Sequence, residues 1–515
     1  MNILLRNRLI FIALTLFFAF SCQEEDKRLQ NLYKDLPFDM PVVAEPSIPA
    51  YTVTLSDFGA VGDGVTLCTE AFEKAFQALQ KYGGGKLVVP DGIWLTGPIA
   101  LQSHTELHLS DNAVIVFSSD QDLYPIIDTN FEGMDVRRCL SPIHAEGATD
   151  IAITGKGTID GGGHPWRELK RRKVGDDTWK QLAKGGVLAD DGSVWYPDEG
   201  YKKARLTAGS LNFPDPALDE AEIKTFLRPV LVSLRECENV LLEGVTFQDS
   251  PAWNLHPLWC KNVIIRDVVV RNPHYSTNGD GIDIEACENV VVVGASFDVG
   301  DDAICIKSGK DADGRRHARK CRNLIIKDCV VYHGHGGFVV GSEMSGGVEN
   351  ILVEGCRFLG TDVGLRFKST RGRGGLVKDI WCKDIYMKDI VAEAVTFNLY
   401  YAGVSATEKA PEKGAKDAPK GASAFLSATA GASSAQESSV NLPPVDETTP
   451  EFRDIHFDHI VCSGAKQAIY INGLPELPVT GLDFHNSVFT ARKGVEVHNA
   501  GEVVFDHVTV NGETL

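Results

Sequence analysis

Paired cysteines are missing from this chain. Its 515 residues include twelve cysteines, but they stand singly, with no C-x-x-C pair and no C-x-x-C-H, so neither a zinc ribbon nor a haem attachment is encoded. A dense disulfide scaffold is not encoded either. Basic charge is also short. Against 70 Asp and Glu there are 51 Lys and Arg, a formal charge of −19, which argues against a nucleic-acid or anionic-membrane binder. An acidic substrate would therefore need a local basic site. What is present is ordinary for a folded protein: 43% hydrophobic and 23% charged residues, enough for a sizeable core, and 50 glycines that point to many turns.

The N-terminus reads as an address and not as fold. Arg6 and Arg8 precede an apolar run from Leu9 to Phe20 that is too short to span a bilayer, so residues 1–21 read as an export signal. The run ends in Ala19-Phe20-Ser21-Cys22, which resembles a bacterial lipoprotein box and implies cleavage before Cys22 and a lipid on its sulfur; a plain secretory signal is the alternative. Residues 22–49 begin with Gln23-Glu24-Glu25-Asp26 and show little apolar periodicity, so they read as a tether. The expected product is an exported lipoprotein of the outer membrane or cell surface, with the periplasm possible, touching membrane only through its lipid.

From Ala148 onward one phrase recurs: Asn or Asp, alternating aliphatics, a small or acidic turn residue, then more alternation. Copies open at Asp150, Asn239, Asn262, Asn289, Asn323, Asn350, Asp379 and Asp454. The spacings from Asn239 to Asp379 are 23, 27, 34, 27 and 29 residues, one coil of a solenoid each. Period-two alternation makes the repeat β, and a single-stranded right-handed parallel β-helix over residues 50–515 explains it best. Cys237, Cys260, Cys287 and Cys321 each fall two residues before their Asn, which predicts one stacked column of core thiols. Residues 69–82 have helical spacing of Ala71, Phe72, Ala75, Phe76 and Leu79 and predict a helix capping the open end. Two segments break the repeat, about 164–227 and 403–449, and read as insertions.

Polar phrases interrupt the strands where coils turn: Asn278-Gly279-Asp280-Gly281, Gly300-Asp301-Asp302 and Gly334-His335-Gly336. Asp280 and Asp301 are 21 residues apart, about one coil, and stacked coils lie about 4.8 Å apart. Carboxylates that close repel, so one keeps its proton while another stays ionised, which is the equipment of acid-assisted glycoside hydrolysis. Two coils on, Arg366 and Lys368 share one strand face and suit a substrate carboxylate. Singly, each has a plainer reading. Asp280 is a turn residue, Asp301 and Asp302 with Asp283 and Glu285 are a calcium site, His335 caps a turn, and Arg366 and Lys368 are a solvated face.

Taken in order, NGDG, GDD, GHG and RFK resemble the four signatures of glycoside hydrolase family 28, the polygalacturonase family, whose usual forms are NTDG, GDD, GHG and RIK. Gly279 and Phe367 are the departures. The resemblance implies an inverting hydrolase needing no cofactor or metal. Asp301 is its general acid, Asp280 and Asp302 activate water, His335 orients the acid pair, and Arg366 and Lys368 hold the carboxylate beside the scissile bond. Lys307, Asn278 and His256 are expected to touch the substrate as well, while Trp253 either lines a subsite or packs in the core. The phrases at Asp302–Gly314 and Gly341–Val348, with the long insertion, resemble exo-acting bacterial members. The expected substrate is pectic polysaccharide or oligogalacturonide, cut from its non-reducing end. A rhamnogalacturonan hydrolase, a calcium-dependent pectate lyase and an inactive adhesion protein are the alternatives.

Overall fold

A computed structural model describes residues 32–207, 212–401 and 442–515. Cys22, the signal over residues 1–21 and the first part of the tether lie outside them, as do residues 402–441 of the second insertion. The Asn or Asp that opens each repeat turns the chain through a left-handed conformation, with φ of 53° at Asp150 and 58–60° from Asn239 to Asn350. Short amide and carboxylate side chains tolerate that conformation best. The alternation that follows then forms a strand, paired in parallel and without slippage to its neighbours: Val240, Val263, Val290, Leu324 and Ile351 stack in one row. Each asparagine Nδ2 donates to the Oδ1 of the asparagine one coil earlier at 3.0–3.1 Å, from Asn262 to Asn350. The turn side chains thereby satisfy one another along the axis.

Three strands make a coil. Ile282–Glu285, Glu288–Val293 and Ser296–Asp298 pair with Ile304–Lys307, Cys321–Lys327 and Val330–His333 of the next. The chain is thus a right-handed parallel β-helix, with Ile282, Ile284, Ile304 and Ile306 pointing into its core. The cap is helix α1, Thr69–Lys81, which buries the same Ala71, Phe72, Ala75, Phe76 and Leu79 that its spacing singled out. All eleven described cysteines are buried and unbridged, and in the predicted column the Cys260 amide donates to Cys287 Sγ at 3.3 Å. Burial pushes the Cys321 thiol up to about 12, which leaves it inert.

The tether expectation needs correcting for residues 32–49. Leu32 and Val43, with Tyr33, Leu36, Met40 and Ile48 beside them, pack on Ala152, Leu241, Ile264, Val291 and Ile325, the outward row of the Asn-ladder sheet. Phe38 meets Trp381 at 5.7 Å, Glu45 pairs with Arg266 at 2.8 Å, and the Ser47 amide donates to Asp150 at 3.0 Å. The segment is a strap running from later coils to earlier ones, held by apolar burial that a water-exposed linker would forgo.

The long insertion builds a small antiparallel sheet of Leu169–Lys170, Val194–Tyr196 and Val187–Leu188, and a separate core around Trp166, Tyr201 and Phe226. Ahead of it stands an antiparallel hairpin, Ile126–Phe131 with Met134–Cys139, that the repeat pattern does not announce.

Candidate active site

Strand alternation decides which side chains face the cleft. On the strands Leu255–Leu258, Ile282–Glu285 and Ile304–Lys307 the odd and even positions divide, so Ile282 and Ile284 enter the core while His256, Asp283 and Glu285 face outward. Residues just before those strands turn toward the same face. There Asp280, Asp301 and Asp302 converge, with one oxygen of each lying within 4.8 Å of the others.

Their environments differ. Asp302 is 2% exposed; its Oδ2 accepts from Lys368 Nζ at 2.7 Å and its Oδ1 from Arg366 Nη1 at 3.3 Å. Burial alone would raise this carboxyl, but Lys368, Arg366 and His335 outweigh it and hold it far below the usual range. Asp280 goes the other way. Burial, with repulsion from Asp283, Asp301 and Asp302 added, pushes its carboxyl well above that range against the pull of Lys307. Asp301 is less enclosed than either and sits where a ligand can reach it.

His335 joins the cluster through its backbone, whose amide donates to the Asp301 carbonyl at 2.8 Å, while its ring Nδ1 pairs with Asp362 Oδ2 at 2.8 Å. The two departures from the family's usual motifs have physical reasons. A side chain at position 279 would strike Ser276 Oγ at 1.8 Å, so Ser276 and Gly279 fit each other. Phe367 points inward between its two outward cations and stacks on Phe397 at 4.5 Å.

Three residues expected to touch substrate are placed otherwise. Lys307 is enclosed, 2.9 Å from Glu343 and 3.7 Å from Asp283, under the Trp253 ring. His256 is buried against Glu285 at 2.9 Å, with Trp253 edge-on to it. Asn278 Oδ1 accepts from Arg228 Nη2 at 2.6 Å and Asn212 Nδ2 at 3.1 Å. Lys307 and His256 lie beneath a roof, which explains why these outward-facing polar groups are as buried as core, and Asn278 lies half-buried beside it.

That roof is the hairpin Ile126–Phe131 and Met134–Cys139. Phe131 packs on Trp253 at 4.6 Å, Asn212 joins the hairpin's Glu132 to Asn278, and the Gly133 carbonyl accepts from the Lys310 amide at 3.0 Å. The outward row of the cleft floor continues past His256 to Ser233 and His144, but the hairpin covers them. A cavity of about 30 Å³ remains between, lined by Arg138, Asn130, His144 and Ser233, with room for about two waters. The cleft is therefore blind on this side. Tyr401 lies across the opposite side, its ring 5.0 Å from Lys368 Nζ.

Sequence reasoning missed Asp362, Glu343, Arg228 and the hairpin. Asp283 and Glu285 it met only as calcium ligands, although their alternate spacing on an outward face was visible.

Comparison with known proteins places this geometry. Residues 216–416 match the model of glycosyl hydrolases family 28. A probable polygalacturonase of Vitis vinifera is 32% identical over 352 residues, 66% of this chain and 62% of the relative, so the chain spans under two thirds of that relative's length. An exo-poly-alpha-D-galacturonosidase of Dickeya chrysanthemi is 27% identical over 480 residues, 90% of this chain and 75% of the relative. The crystal structure of an exopolygalacturonase from Thermotoga maritima superposes with a TM-score of 0.71 at 30% identity, covering 92% of this chain and 94% of that one. Motifs, fold and these likenesses agree: the chain belongs to glycosyl hydrolase family 28.

Proposed function

We propose that this chain hydrolyses α-1,4-galacturonosyl linkages of homogalacturonan, removing galacturonate from the non-reducing end of oligomers. The observation that carries the reading is the division of labour in the carboxylate cluster. Asp302 is pinned as a carboxylate by Lys368 and Arg366, and Asp280 beside it is kept protonated. Asp301, open to ligand, gives its proton to the glycosidic oxygen. A water held by Asp280 loses a proton to Asp302 as its oxygen bonds to the anomeric carbon and the glycosidic bond breaks. Asp280 thus orients water and does not serve as a second base. Charges of Arg366 and Lys368 not spent on Asp302 face the uronate on the leaving side.

Nearest oxygens within 4.8 Å are closer than the roughly 6.5–9.5 Å usual between carboxyls of inverting enzymes. Single displacement is still favoured. Two cations hold the Asp302 carboxylate in place and lower its nucleophilicity while leaving each oxygen a lone pair for a water's proton, and Asp280 holds its own proton. The same two cations disfavour the lyase alternative, because a divalent ion on Asp302 would meet them at contact distance.

The blind end supports exo action, since a chain cannot extend beneath the hairpin. Product analysis on polygalacturonate and rhamnogalacturonan side by side tests the whole reading. Galacturonate alone from the earliest times is expected from the first and nothing from the second. A ladder of oligomers sinks the exo claim, an ultraviolet-absorbing unsaturated product sinks hydrolysis, and cleavage only of rhamnogalacturonan moves the substrate to the runner-up. Proton NMR should find the inverted anomer first.

Arg6, Arg8 and the Leu9–Phe20 run support export, and Cys22 supports a lipid anchor at the outer membrane or cell surface. Labelled palmitate should enter the wild type and be absent from Cys22→Ser.

A further inference from the structure

Two arginines stand under the hairpin with no acid to answer them. Arg138 is 2% exposed and Arg228 1%, and neither forms an ion pair among the described residues. Arg228 gives its guanidinium only to neutral oxygens, the carbonyls of Pro251 and Thr277 and the side chains of Asn212 and Asn278. Arg138 gives Nε to the Arg228 carbonyl at 2.9 Å and Nη1 to the Asn212 carbonyl at 3.0 Å, while its Nη2, enclosed by protein, meets no acceptor among the described residues. The acids of this neighbourhood are already engaged, Glu132 by Lys310 at 3.5 Å and Glu168 by Lys170 and Arg205 at 3.1 Å each. Burial and repulsion from Arg228 push the Arg138 guanidinium down to about 10, which leaves it charged at neutral pH. Arg137 makes the contrast: on the outer face of the same strand it pairs with Glu220 at 2.9 Å and Asp128 at 3.1 Å.

A charge that deep is costly without a counter-charge, and the hairpin's register shows where one would sit. Arg138 pairs across the hairpin with Ile127, so it shares the inner face with Ile127, Thr129 and Phe131, and its guanidinium lies over the Phe131 ring at 4.1 Å. All four residues line the cavity of about 30 Å³ described above. Its floor is the outward row of the coils beneath, where Ser233 stands beside His144; the Ser233 hydroxyl forms no hydrogen bond among the described residues. We propose that this cavity binds one small monovalent anion, a halide of chloride size, which answers the charge of Arg138 and Arg228 and fastens the hairpin to the coils under it. Room for about two waters admits such an ion and shuts out a sugar or a larger organic acid. The site stands apart from the carboxylate cluster and does not depend on the reaction assigned there.

The test is thermal unfolding of the purified protein at one ionic strength in sodium chloride, sodium bromide or sodium gluconate, an anion too large for the cavity, with diffraction from crystals grown in bromide. Tm should climb with either halide to a plateau about 2–3 °C above its value in gluconate. Bromide should give an anomalous peak between Arg138 and Ser233. Ser233→Leu, which fills the space and leaves both guanidiniums in place, should lose the peak and the halide-dependent rise, and Arg138→Met should lose them too. Equal Tm in halide and gluconate, or bromide bound only at the outer surface, overturns the site. A halide-dependent rise that persists in Ser233→Leu overturns it as well. Should Arg138→Met fail to fold, wild type and Ser233→Leu decide between these outcomes on their own.

Discussion

Asp283 is fully buried, and neither of its carboxylate oxygens meets a hydrogen-bond donor among the described residues. Lys307, 3.7 Å away, is shared with Glu343. Burial first, with Asp302, Glu285 and Asp301 adding to it against Lys307, raises the carboxyl well above the usual range. Folding at neutral pH must then bind a proton that the unfolded chain does not hold, which lowers stability. Asp283→Asn should raise Tm at pH 7, and the gap should close as pH falls toward about 4, where the unfolded carboxyl is protonated as well. A variant less stable than wild type at pH 7 would refute this. Glu106 has the opposite sign. Burial raises it, but His108, Thr154 and Lys86 together bring it down to about 2. Its contribution is complete above pH 4.5 and is lost as pH falls toward 2, so thermal melts should show a drop in stability across that window that Glu106→Gln lacks. At this scale the motifs named three carboxylates that the fold brings together, Asp280, Asp301 and Asp302, because equivalent turn positions of successive coils stack. The sequence disclosed burial poorly: Lys307 and His256 had the right face but not the roof above it.

The roof and the strap are elements of one kind, segments laid over a solenoid surface that its repeat leaves open. A signal for the strap was present. Phrases such as Val240-Leu241-Leu242 and Val263-Ile264-Ile265 are apolar on both faces of a strand, which means both faces are covered. Deleting residues 32–49 should uncover that row and lower stability by about 3–6 kcal/mol, at about 1.5–3 kcal/mol for each of Leu32 and Val43. Denaturant melts of chains beginning at residues 32 and 50 measure it, and equal midpoints would show that the strap contributes nothing. The hairpin was harder to read. Its turn, Glu132-Gly133, has φ of 49° and 72°, the conformation of a two-residue hairpin loop, but Glu is not a residue that advertises it. Replacing residues 129–136 by a short Gly-Ser link should open the blind end and turn a galacturonate-only product pattern into mixed oligomers. Gly133→Val, whose Cβ would meet the Lys310 amide nitrogen at 2.5 Å, should do the same more weakly.

Across the whole molecule the architecture was legible because the repeat is written in its turns. One Asn per coil sets where the chain bends, and in-register stacking follows from making every bend alike. The insertions escaped that logic because each occurs once. A net charge of −19 also belongs to this scale. It repels a polyanionic substrate at long range, while binding depends on a few cations inside a cleft. Raising ionic strength from about 10 to 150 mM shortens the Debye length from about 30 to 8 Å and should raise kcat/KM on long polygalacturonate about two- to threefold. A monotonic fall would show that exposed cations dominate capture.

The strap also bears on how the molecule answers mechanical force. It lies lengthwise, from the coil of Trp381 back to that of Asp150, before the chain enters its first strand at Thr52. A pull at residue 32 loads all of its contacts in shear at once, where a pull on a bare coil would unzip one rung at a time. The solenoid is thus spliced against unwinding from its N-terminal end, and tension reaches the first coil only after the splice has failed.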